Sequence, residues 1–277
     1  MKKLKDPFYG QIGKLVVPIV IQNLLSAAVS SADVIMLNFV GQSAIASVSL
    51  ASQYANVLFM VFYGLGTGAT MLCAQYYGKG DKKAIQAVEG IALRFSLVIS
   101  SAFAVLALTV PEWMMRVFTA DPELIGLGAS YLRVLSICYL CWGIIEVYLS
   151  VLRSIGRVTV GTALNTFAVV TNVLLNAVFI FGLFGAPKLG VLGVAIATSV
   201  SRFLELILCF VVSFKSKDIK LKFSYLFVRN KLLFSDFIRM PAGAGAAAAR
   251  PAYRAKNIRN RRGFPPSRMP ASFLLII

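Results

Sequence analysis

The chain has 277 residues, of which 58% are hydrophobic and only 14% are charged. A soluble domain carries about a quarter charged residues, so this composition excludes an ordinary soluble fold and predicts an all-α membrane protein. The basic residues behind the net charge of +17 lie between apolar stretches, which favours contact with the lipid bilayer over binding of nucleic acid. Because the chain contains no histidine, any proton relay has to use carboxyl groups.

Six apolar stretches are long enough to cross about 30 Å of hydrocarbon at about 1.5 Å per residue. In chain order they cover residues 12–38, 48–77, 88–110, 126–152, 158–184 and 189–213. Positive charge collects before the first stretch and after the second, fourth and sixth, at Lys2, Lys3, Lys5, Lys14, Lys79, Lys82, Lys83, Arg153, Arg157, Lys215, Lys217, Lys220 and Lys222. By the positive-inside rule, this pattern predicts a multi-pass protein of the bacterial plasma membrane with both termini in the cytoplasm.

The first stretch contains an isolated acid. Asp33 is the only charged residue between Lys14 and Lys79, and a lone carboxyl at membrane depth is unfavourable unless it is protonated, paired or bound to a cation. We interpret Asp33 as an ion-coupling residue that exchanges protons or sodium ions. The alternative is a structural acid that never titrates. Pro18 removes a backbone hydrogen bond from the same stretch, and this predicts either a working hinge or a static bend.

Polar residues in the fifth and sixth stretches are further candidates. Asn172 and Asn176 are four residues apart and share one helix face. Their amides can hydrogen-bond a carboxyl group or ligate sodium, and interhelical hydrogen bonding is the equally weighted alternative. Arg202 and Glu205 carry opposite charges and are three residues apart. This spacing favours a structural ion pair over a proton relay.

Several kinds of site are not indicated. The chain has no G-x-x-x-x-G-K-[ST] loop, so it does not cradle ATP phosphates in the usual way and transport has to draw on an ion gradient. The cysteines lie in apolar stretches, and we interpret all of them as packing residues: Cys73, Cys138, Cys141 and Cys209. The sequence therefore predicts neither an enzyme nor a metal site nor a bound cofactor; the only small ion expected is the coupling ion, H⁺ or Na⁺.

The composition changes abruptly near residue 240. Residues 241–277 are rich in Ala, Gly, Pro and Arg and contain seven basic residues and no acidic one. We therefore predict two parts: a six-helix transmembrane lobe at residues 1–239 and a basic tail at 240–277 that is disordered or frameshifted. A switch of reading frame fits the change in composition better than an inner-leaflet lipid-binding tail does.

Five segments, taken together and in order, resemble a known family. They are residues 18–36, 64–81, 152–157, 171–176 and 187–198, which include the runs GLGTGATMLCAQYYGKGD, LRSIGR and TNVLLN. This set is similar to the amino-terminal lobe of the multidrug and toxic compound extrusion (MATE) family, over about residues 1–239. Each segment alone is a weak signal, and their order along the chain makes the resemblance specific.

The resemblance implies a twelve-helix antiporter made of two six-helix bundles around a central cavity. Such proteins export cationic, often aromatic drugs in exchange for sodium ions or protons. The family's first-helix acid corresponds to Asp33 and its kink-forming proline to Pro18. Its fifth-helix polar pair corresponds to Asn172 and Asn176, and a sixth-helix hydroxyl to Thr198. In some members the second residue of the pair is an aspartate, and Asn176 leaves one carboxylate fewer for sodium.

Three functions follow from these observations. The first is a secondary multidrug efflux antiporter, of which this chain would be a truncated half that lacks the second lobe. The second is a lipid-linked precursor flippase of the same wider superfamily, which would need a strongly cationic cavity to hold a diphosphate. Few charged residues lie inside the spans, so this function ranks lower. The third is an inactive membrane fragment.

Overall fold

The protein is described by a computed structural model that covers residues 35–216 and the isolated positions 17, 20, 21 and 24. Residues 35–38 are helical, and from Gln42 onwards the described chain forms six α-helices, which we number in order. They are α1 (Gln42–Gly78), α2 (Lys82–Thr109), the short α3 (Pro111–Arg116), α4 (Pro122–Ser154), α5 (Val158–Phe181) and α6 (Gly190–Lys215). A 3₁₀ turn at Leu183–Gly185 lies between α5 and α6.

Five of these helices, all except α3, are long and apolar enough to cross a membrane. They correspond to the second to sixth predicted spans, and no strand occurs in residues 35–216. The prediction of an all-α, multi-pass membrane protein is therefore confirmed. The first span, residues 12–38, falls mostly outside the described residues. The predicted boundary at 239 and the tail at 240–277 lie outside them entirely.

Helices α2 and α4 begin earlier than hydrophobicity alone predicts, and a capping aspartate precedes each of them. The Asp81 carboxylate accepts a hydrogen bond from the Ala84 backbone N–H at 3.0 Å, so α2 starts at Lys82, six residues before its predicted span. Asp121 caps α4 in the same way, accepting from the Glu123 N–H at 2.9 Å. These side chains satisfy backbone donors that the first helical turn leaves unpaired. The charged first turns extend each helix beyond its apolar segment.

The fourth helix forms the centre of the bundle and packs against α1, α2 and α6. Two glycines permit close contact with it. A Cβ atom at Gly66 of α1 would lie 2.5 Å from Ser150 Oγ, and one at Gly143 of α4 would lie 2.6 Å from Ser96 Oγ of α2. Hydrogen bonds follow from this proximity: Thr70 Oγ1 donates to the Ser150 carbonyl at 3.1 Å, and Ser96 Oγ donates to the Gly143 carbonyl at 2.8 Å.

The up-and-down connection of the helices places their charged ends on two sides of the bundle. One end, which we call the basic end, carries the α1–α2 turn, the α4–α5 turn and the end of α6, with Lys79, Lys82, Lys83, Arg157 and Lys215. The opposite end carries Glu112, Asp121 and Glu123, where Arg133 pairs with Glu112 at 2.6 Å. Two apolar clusters fill the bundle between them, one nearer each end.

Candidate functional site

A hydrogen-bonded chain of three polar side chains connects α5 and α6. Asn176 Nδ2 donates to Asn172 Oδ1 at 3.3 Å, and Asn172 Nδ2 donates to Thr198 Oγ1 at 3.1 Å. Thr198 Oγ1 donates to the Val194 carbonyl one turn earlier in α6, at 2.9 Å. We call Asn172, Asn176 and Thr198 the polar trio. The structure thus brings together three residues that the resemblance assigns to one site, while their role in ion coupling stays a prediction.

The backbone brings α5 and α6 close enough for this contact. Gly182 ends α5 in the left-handed conformation, with φ of 71°. The Leu189 N–H donates to the Phe179 carbonyl at 3.0 Å across the connection. A Cβ atom at Gly193 would lie 2.8 Å from Phe179 Cβ, so only a glycine fits there without displacing the helices. Asn176 is consequently fully buried between them.

The donor set suits a proton or a hard cation. Asparagine carbonyl and threonine hydroxyl oxygens are ligands of the type that Na⁺ and other hard cations accept. The same amides donate to a carboxylate or accept from a carboxylic acid. Within residues 35–216 no group of three or more Cys, Asp or Glu residues could hold a metal ion. The four cysteines are free thiols, and Cys73, Cys138 and Cys209 are buried.

Asp33 and Pro18 lie outside the described residues, so the structure does not place the predicted coupling acid or hinge. The segment that follows Asp33 is described, however, and it packs beside the polar trio's helices. Phe39 contacts Phe181 edge to face, with ring centroids 5.4 Å apart. A Cβ atom at Gly190 would lie 3.2 Å from Val40 Cγ1. The chain after Asp33 therefore contacts the end of α5 and the beginning of α6.

Arg202 and Glu205 lie in the middle of α6, about one and two turns beyond Thr198. Arg202 Nη1 donates to Glu205 Oε2 at 2.7 Å; the Glu205 side chain is fully buried, whereas Arg202 is 25% exposed. The Arg202 guanidinium also lies 5.4 Å from the centre of the Trp142 ring. Each charge of the pair thus has a partner, which is the arrangement a buried ion pair requires.

One buried acid was missed by the sequence analysis. Glu89 of α2 is only 2% exposed, and no role was predicted for it because it fell at the edge of the third span. A signal was present: its neighbours at helical spacing, Ile85, Ala92 and Leu93, are all apolar and all buried. An acid on an otherwise apolar helix face is expected to be buried, whichever residue is taken as the start of the span.

The long helices and the interhelical polar trio define a lobe of a membrane transporter, and comparison with known proteins identifies the family. Residues 18–178, more than half of the chain, match the MatE family model. The chain belongs to this transporter family, the one that the sequence segments resemble.

Relatives and solved structures agree with this assignment. The chain is 28% identical over 232 residues to the uncharacterized transporter YisQ of Bacillus subtilis, covering 83% of this chain and 50% of that protein. It is 28% identical over 211 residues to the probable multidrug resistance protein NorM of Thermotoga maritima, covering 76% and 45%. It resembles an outward-facing multidrug resistance MATE family transporter with a TM-score of 0.76 at 23% identity, covering 86% of this chain and 52% of that one. The chain spans about half the length of the proteins it matches.

Proposed function

We propose that this chain is the amino-terminal lobe of a secondary multidrug efflux antiporter that exchanges cationic drugs for protons or sodium ions. Asp33, Asn172, Asn176 and Thr198 form its ion-coupling site. The observation that carries the proposal is the hydrogen-bonded polar trio between α5 and α6. The names of several relatives support a drug substrate, since they are multidrug resistance proteins, including PmpM of Pseudomonas aeruginosa.

The contact between Phe39 and Phe181 supports a shared site for Asp33 and the trio. Phe39 contacts Phe181, and residues 35–38 are helical. Asp33 precedes Phe39 by six residues in the sequence, and Asn176 precedes Phe181 by five. We infer from these similar separations that the carboxyl and the amide belong to one site.

The chemistry of the site follows from the two states of the acid. An ionised Asp33 accepts hydrogen bonds from amide N–H groups or shares a cation with the amide and hydroxyl oxygens. A protonated Asp33 donates to one of those oxygens. Exchange between these states changes the partners of Asn172 and Asn176, and Pro18 lets the first helix bend as they change. Ion binding and helix shape are coupled in this way.

The complete antiporter requires a second lobe, because this chain spans about half of the matched proteins. We place the basic end in the cytoplasm of a bacterial cell, since basic residues face inward in membrane proteins. A single cysteine at Lys82 should then react with an impermeant reagent only from inside, and one at Glu123 only from outside. The flippase alternative is not favoured, because the mid-membrane charge of Arg202 is paired with Glu205.

The test is Asp33→Asn in a form of the protein that carries a second lobe. Asn keeps the shape and most hydrogen bonds of a protonated acid but cannot lose or regain a proton. We expect efflux of a fluorescent cation from cells to lose its dependence on the proton or sodium gradient and to fall at least tenfold, with insertion and thermal stability unchanged. Glu123→Gln, in the exposed first turn of α4, is the matched control and should transport normally. If Asp33→Asn transports as well as the parent, Asp33 is a structural acid.

A further inference from the structure

We propose that Glu89 is a second proton-binding carboxyl group of this lobe, located near the basic end and separate from the polar trio. It holds a proton in the structure described here and exchanges it with water at that end. The proposal concerns proton binding alone and does not depend on the drug or on the coupling ion of the proposed antiporter.

The burial of Glu89 is the first observation. The residue is 2% exposed and is surrounded by the apolar cluster nearer the basic end, which includes Ile85, Val88 and Leu93 from its own helix. Its Oε1 atom is buried and has no hydrogen-bond partner within the described part of the chain. No Lys or Arg nitrogen of residues 35–216 forms an ion pair with it; the ion pairs found there use Glu112, Glu146 and Glu205.

The groups that face Glu89 carry no compensating charge. The thiol of Cys73 on α1 and the phenol of Tyr148 on α4 are within electrostatic reach of Glu89. Arg157, at the start of α5, is within electrostatic reach of Tyr148, whereas Arg153 pairs with Glu146 at 2.7 Å. Cys209 of α6 is also within electrostatic reach of Tyr148. Thiol and phenol are neutral at physiological pH, so an ionised Glu89 would stand without a counter-charge.

An isolated carboxylate in an apolar interior is strongly unfavourable, and such a group takes up a proton instead. The protonated carboxyl is neutral, so its burial is far less unfavourable than burial of the carboxylate. Glu205 differs from Glu89 in this respect, since it is equally buried but paired with Arg202 at 2.7 Å. The two acids therefore allow a direct comparison between a buried glutamate with a counter-ion and one without.

Two buried hydroxyl residues, Ser154 and Ser213, lie near the basic end. Ser154 is the last residue of α4 and lies beside Cys73, and Tyr148 lies beside Ser213 near the end of α6. Glu89 itself is seven residues from the start of α2 at Lys82, or about 10 Å of helix at 1.5 Å per residue. The nearest water is therefore at the basic end. When the proton leaves, the carboxyl O–H bond breaks and the proton passes to a hydroxyl or water on that side.

Infrared spectroscopy of the whole chain in lipid nanodiscs tests the proposal. A protonated carboxyl has a C=O stretch well separated from the bands of a carboxylate. We expect a protonated-carboxyl band at neutral pH that shifts when glutamate is labelled with ¹³C. Because the label leaves aspartate unchanged, this shift distinguishes a glutamate band from one of Asp33 without any substitution. Glu89→Gln should remove that glutamate band, whereas Glu112→Gln, on an exposed and paired acid, and Glu205→Gln should leave it in place. Transfer to D₂O should shift the band, because the proton exchanges.

Each contrary outcome overturns a stated part of the proposal. Absence of the ¹³C-sensitive band at neutral pH would mean that Glu89 is ionised in the folded chain. This result comes from the unsubstituted chain, so it holds whether or not Glu89→Gln folds. A band that disappears when sodium replaces potassium would mean that the site takes a metal cation rather than a proton. A band that survives Glu89→Gln would belong to another glutamate. A band that does not shift in D₂O would mean that the proton is permanently trapped.

Discussion

Asn172 Nδ2 donates a hydrogen bond to Thr198 Oγ1 at 3.1 Å, and this bond links α5 to α6 in the interior of the bundle. Thr198 has a single hydroxyl hydrogen, which is used in the bond to the Val194 carbonyl. Asn172 must therefore be the donor, and its Oδ1 atom must face Asn176. The three donors point in one direction along the chain of bonds. In this state Thr198 offers a remaining lone pair, which suits a cation or the proton of a carboxylic acid.

Thr198→Val should separate the structural from the coupling role of this hydroxyl. Valine has nearly the same shape, so the variant removes the bonds of Oγ1 and leaves Asn172 with an unpaired donor. We expect a loss of about 1–3 kcal/mol in stability, measured as a lower Tm in detergent, together with weaker dependence of efflux on the ion gradient.

The neighbouring Ser199→Ala is the matched control for that variant. Ser199 Oγ donates to the Val134 carbonyl at 3.3 Å and takes no part in the trio. It should lower Tm by a similar or smaller amount and leave the ion dependence intact. Equal effects of both variants on ion dependence would contradict a coupling role for Thr198.

Asn176→Asp should make the site a better sodium site. Asn176 is fully buried between α5 and α6, so a carboxylate placed there would be unfavourable without a cation. We expect the variant to be less stable than the parent in potassium and to regain stability in sodium. Sodium at about 100 times its dissociation constant would contribute about 2.7 kcal/mol. The measurement is Tm in matched sodium and potassium salts, and equal values in the two salts would contradict this expectation.

Much of the architecture was predictable because apolar length and loop charge determine where a chain crosses a membrane. Helices α5 and α6 were predicted to within a few residues. The structure joins Asn172, Asn176 and Thr198 by hydrogen bonds, and their role in ion coupling stays a prediction. Glu89 was missed although the predicted third span included it, because it lay at the edge of that span and no role was assigned to it. The Asp81 cap starts α2 at Lys82, so Glu89 lies two turns inside the helix and not at its end. Contacts of Arg202 with Trp142 depend on the packing of α4 on α6, which a single sequence does not specify.

Gly66→Ala should destabilise the contact between α1 and α4. The added methyl would lie 2.5 Å from Ser150 Oγ, whereas nothing lies within 4 Å of a methyl at Gly64. We expect a loss of about 1–3 kcal/mol for Gly66→Ala and little change, or a small gain from helix propensity, for Gly64→Ala. Thermal unfolding of both variants measures the difference. Combining Gly66→Ala with Ser150→Ala should recover part of the loss, and no recovery would show that the clash involves other atoms.

Arg202 and Glu205 provide the sharpest test between a structural pair and a proton relay. Arg202→Met leaves the fully buried Glu205 without its 2.7 Å partner. Breaking a buried pair on one side costs about 3–5 kcal/mol, so we expect a large fall in Tm. The double variant Arg202→Met, Glu205→Leu replaces both charges with apolar groups of similar volume. Such replacements are often neutral or stabilising, and the double variant should regain most of the lost stability.

Transport by that double variant then decides between the two roles. A structural pair predicts that ion-driven efflux of a fluorescent cation returns together with stability, because no proton passes through Glu205. A relay predicts a stable protein that no longer transports, since neither Met nor Leu can carry a proton. Glu112→Leu combined with Arg133→Met removes the exposed pair at the opposite end and is the matched control, for which we expect normal transport. Recovery of Tm without recovery of efflux would overturn the structural assignment of Arg202 and Glu205.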